Sequence, residues 1–224
     1  MLIWLVLIPL IAAALIGLCK APARPTALLS ASLTLALGIW ALVSFDGCSS
    51  CWSRFEGMDL QLTLAPALSK VMLLLTILVT FATVLGTTPP QGGEASWYNS
   101  ALLISAGATG AFLSDNIISF FAFHELALIP TFVMIGLYGR GDRRTTAWRA
   151  TLYLGLASMV LLAALLMIGT QAGFTFSGLK DFMASGRELA HAELIGALLI
   201  AGFGTLISLF PFHSWAAPAY ASAP

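Results

Sequence analysis

A carboxyl, an imidazole and a proline stand at positions 125, 124 and 130 of a 224-residue chain, in a run that is otherwise apolar. Glu125 lies ten residues after Asp115, about 15 Å along a helix that rises about 1.5 Å per residue, which is close to the midplane of a bilayer. A charged carboxylate at that depth costs roughly 3 kcal/mol on insertion scales and more in simulation, so it should face a bundle interior or a wet cavity. A carboxyl kept from bulk water suits a group that gains and loses a proton. The plainer reading is a neutral glutamic acid hydrogen-bonded to a neighbouring helix. Pro130 has no N–H, so the carbonyl of Leu126 loses its helical partner and a kink is expected there. The freed carbonyl beside the acid is a natural seat for an ordered water. His124 is adjacent but about 100° round the helix, which argues against both side chains pointing into one cavity. It reads equally as an accessory proton group or as an interhelical hydrogen-bonder.

A second unusual stretch runs from Gly202 to Trp215. Gly202 and Gly204 weaken a helix, Thr205 and Ser208 share a face at i, i+3, and Pro211 breaks the helix just before His213. An interrupted helix at membrane depth is tolerated where it lines a cavity or is buried in protein, and in transporters such breaks mark ion sites. The same residues also suit an ordinary exit into the interface. Thr205, Ser208 and His213 are therefore candidate proton-transfer residues beside Glu125. Lys70, near the start of an apolar run, is explained at low cost by snorkelling to the outer surface, with an accessory role as the alternative. Asp115 reads as a helix N-terminal acid favoured by the helix dipole. Cys48-Ser-Ser-Cys51 lacks the thioredoxin-like setting of a redox pair and reads as free thiols or a local disulfide; Cys19 stands alone. Three scattered His and three scattered Cys draw no zinc, iron–sulfur or paired-haem constellation, and no phosphate-binding glycine motif is present. No metal and no cofactor of its own is expected in this chain.

The elements that must carry these residues are membrane spans. The chain is 59% apolar and only 9% charged, with a mean hydropathy of +0.94, whereas a soluble domain has about a quarter of its residues charged. Ten basic residues balance ten acidic ones, which leaves no field to draw nucleic acid. A span needs about 20 apolar residues, and on that ruler seven candidates appear: 2–18, 27–45, 66–86, 97–113, 115–138, 150–169 and 194–213. The runs are continuous rather than alternating, which excludes a β-barrel. The first has no basic residue ahead of it and is followed by another apolar run, so it is expected to be retained rather than cleaved. Ser114-Asp115-Asn116 separates the fourth and fifth runs with an N-cap signal. Lys20, Arg24, Arg140, Arg143, Arg144 and Arg149 follow the odd-numbered runs, against Arg54, Lys180 and Arg187 after the even ones. This bias places the N-terminus outside.

These residues resemble a known family. Phe120-Phe-Ala-Phe-His-Glu-Leu-Ala-Leu-Ile-Pro-Thr131, with Ile135-Gly-Leu-Tyr-Gly-Arg140, resembles the fifth helix of the antiporter-like membrane subunits of respiratory complex I. The match is to the NADH-quinone oxidoreductase chain M, or mitochondrial NADH dehydrogenase subunit 4, type. Pro211-Phe-His-Ser-Trp215 and Ala223-Pro224 resemble that family's broken seventh helix and the segment after it. The resemblance implies an all-α polytopic bundle of about seven helices, the fifth kinked at Pro130 and the seventh broken near Pro211, forming the first part of an antiporter-like fold. Residues 1–96 would hold helices one to three and 97–224 an incomplete first antiporter-like repeat, all within one membrane domain.

The function implied is proton translocation within the membrane arm of an NADH–quinone oxidoreductase, with Glu125 as the protonatable centre. In the family that Glu pairs with a Lys on the seventh helix, five residues before the proline, where this chain has Leu206. His213, or water held by Thr205 and Ser208, is the substitute the sequence offers. The family's Asp, His and Glu further on are replaced by Pro218, Tyr220 and Ser222. Flavin, iron–sulfur clusters and quinone are expected in partner subunits, the partners being other hydrophobic membrane-arm subunits and the bilayer of a bacterial inner membrane. Two alternatives remain open. One is a subunit of a multisubunit cation/proton antiporter or membrane-bound hydrogenase; the other is a structural subunit that has lost pumping.

Overall fold

A bilayer core offers no water to backbone N–H and C=O groups, and a helix answers by pairing nearly all of them internally. The computed structural model follows this rule along most of the chain; residues 1–44, 52–55 and 60–224 are described, with 52–55 as backbone alone. Among the described residues the order is α1 (Ile3–Gly17), α2 (Ala23–Ser44), β1 (Trp52–Phe55), β2 (Leu60–Thr63), α3 (Ala67–Gly86), α4 (Glu94–Leu113), α5 (Ile117–Tyr138), α6 (Arg143–Ala172), α7 (Phe176–Ala184), α8 (Ala192–Leu206) and α9 (Ala216–Ser222). Helices α2, α3, α5 and α6 are each long and apolar enough to cross a membrane, and α1 and α8 are shorter apolar helices of 15 residues. The chain is a mostly helical multi-pass membrane protein. Each of the seven apolar runs read from the sequence overlaps one of α1 to α6 and α8. Cys48 and Cys51 lie outside the described residues, while Cys19 is free and exposed.

Three features depart from expectation. Helix α6 begins at Arg143 rather than 150 because the Asp142 carboxylate accepts the Thr145 N–H at 3.3 Å and caps it. Arg143, Arg144 and Arg149 therefore ride on the first turns of a helix rather than in a loop, and Arg143 donates to the Leu137 carbonyl at the end of α5 (2.6 Å). Helix α8 stops at Leu206 rather than 213. Stretches read as connectors hold the β1–β2 hairpin and the short helices α7 and α9.

The described residues form two compact units, 1–130 and 131–224. In the first, α1 packs on α2 and α4, and α3 packs on α2 and α4. The hairpin pairs Trp52 with Thr63 and Phe55 with Leu60. Strand alternation turns Leu60 and Leu62 inward, where they join Leu5, Leu73, Ile77 and Leu113 in a buried cluster. Leu62 bridges to Ser114, and the Asp115 N–H donates to the Gln61 carbonyl at 2.7 Å. The strand thus pins the turn between α4 and α5. Asn116 starts α5, its Oδ1 accepting the N–H groups of Ile118 (2.8 Å) and Ser119 (3.1 Å).

The second unit is built on α6, which packs against α7, α8 and α9. A Cβ on Gly202 would stand 2.9 Å from the Leu161 Cβ, so α8 approaches α6 more closely than any larger residue allows. Ile135, Ala147, Ala150, Trp215, Ala216 and Ala219 form its apolar cluster. Gln171 secures the excursion between α6 and α8, its Oε1 accepting the Ala190 N–H at 2.6 Å. At the other end Ser222 closes a two-way clasp: Arg140 N–H donates to its carbonyl and its hydroxyl donates to the Arg140 carbonyl, both at 2.8 Å.

Candidate functional site

Helix α5 carries Glu125 and His124, and it is the least covered of the four long spans, with 11% of its apolar window buried. It continues unbroken past Pro130, which lies inside it and is itself buried. Glycines on α4 set how closely α5 lies. A Cβ on Gly107 would stand 2.7 Å from the Phe123 carbonyl oxygen and 2.8 Å from the Ala127 nitrogen, and one on Gly110 would enter the Phe123 ring. Phe123 and Ala127 flank Glu125 along the helix, so this contact sets how closely the stretch carrying the carboxyl lies to α4.

The sequence argument that His124 and Glu125 diverge does not hold. His124 Nδ1 lies 3.3 Å from Glu125 Oε1, within ion-pair reach. The 100° between successive Cα–Cβ directions is recovered because both side chains swing back over the helix surface through their own torsions. The side chains are partly exposed, 21% for His124 and 34% for Glu125. The two facing atoms are nevertheless shielded from solvent, and neither makes an aligned hydrogen bond. Phe120 stacks on the imidazole with centroids 6.3 Å apart, and Phe121 lies at 6.5 Å. Lys70 sits in the first turn of α3, half-buried, at the end where a lysine stem can snorkel.

The second candidate cluster lies in the unit of residues 131–224, where α8 ends. The break comes before Pro211 and has its own cause. Ser208 adopts φ +61°, the Leu209 N–H donates to the Gly204 carbonyl (2.7 Å) and the Ser208 N–H to the Thr205 carbonyl (3.1 Å). These two bonds around a left-handed residue are the Schellman ending of a helix. Thr205 and Ser208 consequently do not share a helical face, because Ser208 lies beyond the helix. The Thr205 hydroxyl bonds back to Ala201 (2.7 Å), and its carbonyl also accepts the Trp215 indole N–H at 2.9 Å. The Ser208 hydroxyl is buried without a hydrogen-bond partner. His213 is exposed, with its ring 5.6 Å from that of Phe210, and the Phe210–Pro211 peptide is cis. Ser214 donates to the Tyr153 hydroxyl at 2.9 Å, tying the broken segment to α6.

Sequence reasoning passed over Ser30 on α2 and Ser105 and Thr109 on α4. All three are buried and their hydroxyls lack partners. No group of three or more His, Cys, Asp or Glu capable of holding a metal occurs among the described residues.

Residues 114–224 match the family model described as NADH:quinone oxidoreductase/Mrp antiporter, TM. F(420)H(2) dehydrogenase subunit M of Methanosarcina mazei is 24% identical over 98% of this chain, and the match covers 48% of that subunit. NAD(P)H-quinone oxidoreductase chain 4 2 of Microcystis aeruginosa is 31% identical over 70% of this chain and 29% of its own length. A chain of respiratory complex I from Thermus thermophilus with bound NADH superposes on 100% of this chain and 47% of its own, at 24% identity and a TM-score of 0.84. That likeness shows the fold. The chain spans about half the length of the methanogen subunit and of the Thermus chain.

Proposed function

We propose, from the premise that this chain belongs through residues 114–224 to the NADH:quinone oxidoreductase/Mrp antiporter membrane family, that it moves protons in the membrane arm of a complex I-type quinone oxidoreductase. Glu125 is the carrier. The observation that supports this is the one carboxyl within a largely apolar helix, with Oε1 shielded from solvent. Such a group is expensive to keep unless it is used. The chain contributes no redox chemistry of its own; flavin, iron–sulfur and quinone chemistry belong to partner subunits of the same membrane, and changes there are felt at Glu125 as altered field and packing. The membrane is the bacterial inner membrane, with the N-terminus outside. The electron donor need not be NADH, since the methanogen relative bears the name of an F(420)H(2) dehydrogenase.

Replacing Glu125 by Gln keeps shape and removes the exchangeable charge. In inverted vesicles of the native membrane, driven by the complex's own electron donor, Glu125→Gln should lower protons moved per electron at least severalfold while the subunit stays in the complex. Normal pumping would remove Glu125 from the mechanism. One observation favours a second reading, a structural subunit: the position where the family holds its lysine is Leu206. On that reading Glu125→Gln loosens the subunit from the complex and leaves the proton yield of the remainder unchanged.

A further inference from the structure

A lone carboxyl at mid-membrane has to meet the cost of its charge, and in this chain a basic group stands within reach of it on the same helix. We propose that His124 is the proton partner of Glu125, so that the two form one couple on α5 in which the imidazole does what a lysine at position 206 would otherwise do. This rests on the reading of Glu125 as the carrier. Three observations support the pairing. His124 Nδ1 and Glu125 Oε1 stand 3.3 Å apart. Both atoms are shielded from solvent and neither is committed to another hydrogen bond. The imidazole is held against Phe120 and Phe121, whose rings limit where its nitrogens can turn.

The couple settles the charge problem. With Nε2 keeping its own hydrogen, one proton is shared between Nδ1 and Oε1. In one form it sits on Nδ1, giving imidazolium and carboxylate. In the other the N–H bond has broken, an O–H bond has formed on Oε1 and the imidazole is neutral. No electrons change hands, and the net charge of the pair is zero in both forms, so neither exposes the bilayer core to an unbalanced ion. A second proton loads the pair to +1, and its release returns the shared state. Such a couple responds to a nearby field by moving one proton across the gap between Nδ1 and Oε1, a fraction of a helix turn, rather than by moving a helix.

The test uses the assembled complex in native membrane vesicles. His124→Gln retains a hydrogen-bonding side chain but cannot hold the proton; His124→Lys restores a base. The expected result is at least a fivefold fall in protons per electron for His124→Gln, with subunit content unchanged, and recovery of half the wild-type yield or more with His124→Lys. The carboxyl C=O stretch seen in redox-difference infrared spectra, and lost in Glu125→Gln, should also shift in His124→Gln, which a packing role would not produce. Full pumping in His124→Gln with none in Glu125→Gln overturns the couple and leaves the proposed function standing. Full pumping in both removes Glu125 and the couple together. Should His124→Gln weaken assembly, the smaller His124→Asn decides, and normal proton yield there overturns the proposal.

Discussion

Glu125 is positioned less by its own contacts than by the missing side chains opposite it. Gly107 leaves the space that the Phe123 carbonyl and the Ala127 nitrogen occupy, and these are backbone atoms of α5 that cannot rotate away. Overfilling a well-packed contact costs typically 1–3 kcal/mol. Gly107→Ala should therefore lower the thermal midpoint at which the subunit leaves the complex by several degrees and reduce proton yield with it. Gly155→Ala and Gly196→Ala, where an added Cβ meets nothing within 4 Å, should change neither. Equal stability for Gly107→Ala would mean that α5 slides freely past α4. The pairing of His124 with Glu125 was hidden from residue-level reading for a related reason. A helical wheel compares Cα–Cβ directions, whereas the polar atoms are two and three bonds beyond Cβ.

At the scale of elements, α8 ends where a left-handed residue ends it, and that residue is a serine. A non-glycine residue in this conformation is disfavoured by roughly 1–2 kcal/mol, and the Ser208 hydroxyl makes no compensating hydrogen bond. Ser208→Gly should accordingly raise the thermal midpoint of the assembled subunit, by an amount corresponding to about 1 kcal/mol, with α8 still ending at Leu206. A lower midpoint would show that the hydroxyl holds something essential. The broken helix itself was legible from Pro211 and the flanking glycines. Its position was not, because proline advertises a missing N–H while the Schellman turn is made by two backbone bonds that any residue can supply. The apolar helices were legible for the opposite reason: twenty residues of one character leave few alternatives in lipid. The hairpin escaped notice since Trp52–Phe55 and Leu60–Thr63 are four residues each, too short for alternation to stand out. The start of α5 was readable in Ser114-Asp115-Asn116, and Asn116 is the residue that caps it.

For the molecule as a whole, the proposed orientation rests on the distribution of basic residues between the connectors. On the proposed orientation, with the N-terminus outside, the exposed Cys19 just beyond α1 would face the cytoplasm. In a chain carrying Cys48→Ser and Cys51→Ser, a membrane-impermeant maleimide should label Cys19 in inverted vesicles and not in right-side-out ones. Labelling from the outside would reverse the proposed topology. Each of the two units has an apolar cluster of its own.

The clasp between Arg140 and Ser222 joins residues 82 apart in the chain, and it presses Ser222 into the space Gly139 leaves open. Contacts of such separation form only after the intervening loop is closed, which makes them late in assembly. During synthesis the end of α5 is thus complete in sequence long before the residue that fastens it has left the ribosome. Until then the carbonyl and N–H of Arg140, just past the end of α5, lack the partner that Ser222 supplies.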